Sequence, residues 1–126
     1  MLAIRAALRD AGVSPAEIGA VVPQSCGAPA SDAAELLALR EVFGDRLAAL
    51  PIIPIPPIVG DCAAGAGGLQ AATAALCLHH RELPSHLRWN GTAFIAAPAE
   101  PFDLNRVLVC TGSLAGQNAA MILDRV

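Results

Sequence analysis

Residues Ile18 to Gly44 read IGAVVPQSCGAPASDAAELLALREVFG, and three textures follow one another inside that stretch. Ile18 to Val22 is a short apolar run stopped by Pro23, which suits a strand buried on both faces. Pro23 to Ser31 is rich in Ser, Gly and Pro and reads as a loop. Ser31 then stands where it can cap a helix, with Asp32 and Glu35 in a first turn whose dipole favours negative charge. Ala33, Leu36, Leu39 and Phe43 give that helix an apolar stripe, and Gly44 closes it. A buried strand, a loop and an amphipathic helix form the unit of a layered α/β protein.

The flanking segments continue the alternation. Upstream, Leu2 to Ala11 has helical spacing and ends at Gly12, and Val13 to Glu17 makes a turn. Downstream, Leu50 to Ile55 is a short apolar strand punctuated by proline, which puts it at an edge or costs it pairing at Pro54. Gly60 and Asp61 lead into a long Ala-rich helix reaching about His80, with Asp61 as its N-cap and Gly65 and Gly68 admitting a neighbouring backbone. An irregular stretch follows. Arg106 to Thr111 and Ala119 to Leu123 then read as two last strands joined by a glycine-containing turn. The order α-β-α-β-α-β-β predicts helices covering a mostly parallel sheet.

Composition narrows what such a domain can do. The 126 residues are 55% hydrophobic and 15% charged, which excludes a disordered segment and describes a chain that buries most of itself. With 3% aromatics and no tyrosine, stacking platforms for single-stranded nucleic acid are absent. Eight Arg and no Lys against eleven acids give a net charge of -3, which leaves no basic footprint for DNA or RNA. The opening MLAIRAALRDAG carries charges through its apolar pattern, so it reads as a helix and not as a secretion signal. Cys62 to Leu78 is weakly polar but interrupted by Gln70 and Thr73, a buried helix and no membrane span; the expected compartment is the cytoplasm. Cys26, Cys62, Cys77 and Cys110 form no CxxC pair and read as free thiols, and no metal or cofactor site is expected.

Order and sequence together resemble the C-terminal part of a β-ketoacyl synthase of the thiolase fold. The resemblance is carried by Asp10-Ala11-Gly12-Val13-Ser14-Pro15, then Glu41-Val42-Phe43-Gly44, then Leu50-Pro51-Ile52. It continues through Gly60, Ala66-Gly67, Leu69 and Ala71, and closes with Gly116 and Asn118-Ala119. It implies a layered α/β/α half-domain over 1–126 with a mixed sheet, the last strand antiparallel and the N-terminal half of such an enzyme absent. In that family the nucleophilic cysteine belongs to the first half, and none of the four cysteines here takes its place.

Two histidines of the family, which donate hydrogen bonds to the thioester oxygen during decarboxylation, come from the part this chain covers. The family's His-Gly-Thr motif falls on Gln24-Ser25-Cys26, in a register fixed by Asp32 and Glu35. The second histidine falls on Asp61 after Gly60, and a family lysine falls on Pro56. Gln24 can offer an amide N–H but no proton, and an ionised Asp61 beside a developing enolate raises the barrier. The gate between the last two strands aligns with Gly112 to Gly116, with Gly112 at a phenylalanine position.

The resemblance thus implies degenerate catalytic positions at Gln24 and Asp61, with Cys26, Gly112, Ser113 and Leu114 as tunnel or gate residues. It implies a non-catalytic subunit of the chain length factor type, paired with an active ketosynthase or a complementary N-terminal half and reached by acyl carrier protein through that complex. Two alternatives stay open: part of an active condensing enzyme or acyltransferase completed by another chain, or a truncated remnant.

Overall fold

A computed structural model describes residues 1–113 and 116–126. Its centre is a mixed sheet in the order β1 (Ala20–Val22), β6 (Arg106–Gly112), β7 (Asn118–Asp124). β1 runs parallel to β6 with Val21 opposite Leu108, and β7 returns antiparallel with Cys110 opposite Ala120. Successive residues point to opposite faces, and here both faces are covered. Val21, Leu108 and Cys110 meet Ile4 and Leu8 of helix α1 (Leu2–Ala11) and Leu39 and Phe43 of helix α2 (Pro29–Phe43). Ala20, Val22, Val107 and Val109 meet Ala74, Cys77 and Leu78 of helix α4 (Ala66–His80). The result is the three-layer α/β/α arrangement with a mixed sheet and an antiparallel last strand.

Several expected boundaries move, each for a local reason. The first strand begins at Ala20, not Ile18, because Ile18 still closes a 3-10 turn over Pro15–Glu17. Ser31 does not cap α2: Pro29 starts the helix two residues earlier, with Ala28 at the N-cap, and Glu35 therefore lies in its second turn. Ala33, the first residue of the expected stripe, is exposed.

Leu50 to Ile55 is not a full strand. Only Ile52 bridges Val21, with Val21 N–H donating to Pro51 O and Ile53 N–H to Val21 O. Pro51 and Pro54 have no N–H to extend the ladder. The long helix starts at Ala66, after a single turn α3 (Pro56–Val59) and a 3-10 turn over Ala63–Gly65. Asp61 is thus no cap of α4. Close approach falls to Gly67, where a Cβ would lie 3.6 Å from the Thr111 side chain, while Gly68 meets nothing within 4 Å.

The stretch expected to be irregular holds two nested antiparallel pairs, β2 (Glu82–Leu83) with β5 (Glu100–Pro101) and β3 (His86–Trp89) with β4 (Phe94–Ala97). Inside them His86 is buried. Its Nδ1–H donates to Pro84 O while Nε2 accepts from Arg88 Nε, and Arg88 pairs with Glu100.

Leu108 is fully buried at the middle of β6, under the α1 and α2 layer. Leu108→Ala is expected to cost about 3 kcal/mol, read as a lower urea midpoint at unchanged slope.

Candidate functional site

Three chain segments end at one open cleft of about 740 Å³: the loop after β1, the loop before α4, and the end of β6 with the start of β7. Gln24, Cys26, Asp61, Gly112 and Ser113 all line it. Leu114, the remaining tunnel candidate, lies outside the described residues. Pro56 lines the same cleft, as do Ala63, Ala66 and Ala119, which make much of its wall apolar.

The first loop is held by a carboxylate. Glu35 reaches back from α2 and accepts the N–H of Gln24 at 2.8 Å and of Ser25 at 3.0 Å. Asp32 does the same for Gly27 N–H at 3.2 Å and takes the Cys26 thiol at 3.7 Å. From the other side of the sheet, buried Gln70 of α4 donates its amide to Pro23 O at 2.7 Å. Gln24 Nε2 donates to Gly112 O at 3.0 Å.

In the second loop the exposed Asp61 carboxylate accepts Ala63 N–H at 2.8 Å, an Asx turn that uses the acid for backbone shape. Ser25 and Ala63 both adopt left-handed backbone, with φ of 44° and 46°. Such a conformation costs a non-glycine residue roughly 1–2 kcal/mol, offset here by the hydrogen bonds from Glu35 and Asp61.

Electrostatics oppose thiol chemistry on the sheet. Burial, with the Glu35 carboxylate adding to it, pushes the Cys110 thiol up to about 12. Burial raises Cys77 likewise. Burial also raises Glu35 itself, against the pull of the Ser25 and Gln24 amides. Among the described residues no group of three or more His, Cys, Asp or Glu side chains converges as a metal site would require. His79 and His80 close α4, and neither they nor the buried His86 line the cleft.

Sequence reasoning missed Gln70, Thr111 and Asn118. Gln70 carried a signal, a lone amide on the inner face of an otherwise apolar helix. Asn118 carried one only as part of the family resemblance and Thr111 carried none, because their place at the cleft follows from the pairing of β6 with β7.

The family described as β-ketoacyl synthase, C-terminal domain, matches residues 1–90. The chain belongs to this family. It is 32% identical over 127 residues to a polyketide β-ketoacyl synthase 2 of Streptomyces coelicolor, a match covering 98% of this chain and 30% of that protein. It is also 32% identical over 135 residues to the tetracenomycin polyketide synthase ketoacyl synthase beta subunit of Streptomyces glaucescens, covering 98% and 31%. A solved ishigamide ketosynthase/chain length factor superposes with a TM-score of 0.85 at 28% identity, over 98% of this chain and 32% of that one. The chain therefore spans about a third of the length of these β-ketoacyl synthase relatives.

The raised Glu35 has a defined sign. The folded form keeps its proton to higher pH than the unfolded chain, so the contribution of Glu35 is greatest below its usual 4.5 and is lost as pH rises through the raised value. Thermal midpoints of the wild type minus those of Glu35→Gln are expected to fall between about pH 4 and about pH 7. A rise would mean that the Ser25 and Gln24 amides outweigh burial.

Proposed function

We propose that this chain is the ketosynthase-like part of a non-catalytic subunit, of the chain length factor type, acting in polyketide or fatty-acid type biosynthesis. It pairs with an active ketosynthase, receives acyl carrier protein through that complex, and shapes the tunnel that holds the growing acyl chain. The observation that carries this reading is the engagement of the two degenerate positions. Gln24 Nε2 donates one N–H to Gly112 O, and Asp61 Oδ1 accepts Ala63 N–H, so both side chains are used for backbone shape at the cleft. Decarboxylative condensation needs preorganised donors at the thioester oxygen, and a carboxylate at one of the two positions opposes the negative charge that develops there. The remaining groups of the cleft favour a passive apolar wall. The names of two relatives, one a ketoacyl synthase beta subunit and one a ketosynthase/chain length factor, support the same assignment.

Surface chemistry supports a partner. Leu76 is 56% exposed on the outer side of α4, where Gly68, Ala72 and Ala75 are exposed with it, and Ile58 and Val59 stand exposed beside the cleft. Apolar surface grouped on one helix face favours burial against another protein. We place that partner as the complementary N-terminal half or a ketosynthase subunit. The cytoplasm is the compartment proposed, and no helix among the described residues is long and apolar enough to cross a membrane.

Two measurements test this function. The chain alone is expected to self-associate and to become monodisperse when co-expressed with a ketosynthase partner. A monodisperse, cooperatively unfolding monomer counts against the assignment. In the assembled complex, Asp61→Ala is expected to lower turnover by less than about tenfold, whereas loss of a working oxyanion donor costs about a hundredfold or more. A loss of that size in a folded complex would make the chain part of an enzyme.

A further inference from the structure

Next to the cleft lies a second cavity of about 330 Å³, whose walls include Ile4, Ala34, Ala38 and Cys110. The two spaces share Gln24, Thr111, Ser113, Asn118 and Ala119. We propose that the Gln24 side chain, seated over Gly112, is the partition between them, and that it determines how long an apolar acyl chain the cleft admits. This assignment of a specificity-determining residue rests on the tunnel-shaping function above.

The partition is tethered at both ends. Gln24 N–H donates to Glu35 and its Nε2 donates to Gly112 O, so neither the backbone nor the amide is free to swing into the cleft. The position is also exclusive. A Cβ on residue 112 would lie 2.6 Å from Gln24 Oε1 and 2.8 Å from Asn118 Oδ1, closer than real Cβ contacts come. The space above residue 112 is therefore already filled, by the Gln24 and Asn118 carboxamides and by Gln117 O, 3.3 Å from where that Cβ would lie. This is why residue 112 is glycine: the requirement is room, since its backbone is an ordinary extended strand end.

Chemistry on the two sides fits a hydrocarbon chain. Ala63, Ala66 and Ala119 face the cleft, and Ile4, Ala34 and Ala38 face the space beyond, together with Ser31 and Glu35. Between them stand two carboxamides, one held by Gly112 O and the other, Asn118, donating to Gly116 O. An alkyl tail gains by burial against the apolar walls on either side but gains nothing by displacing hydrogen-bonded amides. Trimming Gln24 to Ala removes the barrier and its tether together and joins the two cavities.

The test uses the complex of this chain with its ketosynthase and measures affinity for short and long saturated acyl thioesters of pantetheine. Gln24→Ala is expected to raise the long-to-short affinity ratio about tenfold, the worth of roughly two further buried methylenes. Gly112→Ala is expected to lower the thermal midpoint of the complex, and the double variant Gln24→Ala/Gly112→Ala to recover the part of that loss due to Gln24, Asn118 Oδ1 still lying 2.8 Å from the new Cβ. A ratio within about twofold of the wild type overturns the proposal, and so do losses that simply add in the double variant. Failure of the non-catalytic function looks different: it appears as collapse of turnover in Asp61→Ala, and touches neither the ratio nor the cycle.

Discussion

Strand β6 has water on neither face, and most of the molecule follows from that. Val107, Leu108 and Val109 are at most 1% exposed. Burying each such side chain favours folding by about 1.5–3 kcal/mol, and the alternation of a strand sends them into two different helical layers. α1 and α2 must therefore carry one apolar stripe each, and α4 another on the opposite side. The parallel partner β1, buried throughout, can be short because β6 already aligns it. A strand so enclosed ends wherever its covering helices stop, and at Gly112 they do. The cleft is that end, with the loops after β1 and before α4 brought to it by the same two layers.

Legibility in the sequence tracks how local the determining physics is. β1, β6, β7, α1 and α2 were readable because each is decided by a run of apolar residues and a stop residue a few positions away. Leu50 to Ile55 was apolar enough for a strand, but Pro51 and Pro54 determine its pairing, and their effect depends on which side of the segment a neighbour lies. Nested hairpins between Glu82 and Pro101 were missed although Asn90-Gly91 is a hairpin turn signal, with Asn90 Oδ1 accepting from Thr92 and Ala93. The strands around that turn are short and mixed in polarity, so periodicity could not announce them. Their order comes from outside: Leu87 bonds back to Ile52, and the buried His86 is fixed by Arg88 and Glu100.

At the cleft, the structure brings Gln24 and Asp61 together and gives the carboxylates of Asp61 and Glu35 other partners than their helices. Gln24 and Asp61 were located by register against the family, which requires only that the loops keep their length. Their roles depend on where a flexible side chain finds a partner. For Asp61 the nearest unsatisfied donor is Ala63 N–H two residues on, not the first turn of α4, because a 3-10 turn intervenes. For Glu35 the nearest donors belong to another element, across the loop, so a residue expected to serve its own helix shapes the strand end instead.

The framework around Gln24 and Asp61 is held firmly enough to keep two loops strained. Ser25 and Ala63 sit in left-handed backbone, one residue after Gln24 and two after Asp61. Strain of that kind persists only where the surroundings over-determine the conformation. Glu35 and Gln70 supply the determination at the first loop, clamping it from α2 and from α4, on opposite faces of the sheet. Neither needs a histidine at position 24 to do so. The shape of the first loop is thus carried by residues other than the Gln24 side chain. A substitution at position 24 can change what faces the cleft while the loop, anchored in both helical layers, stays where the sheet puts it.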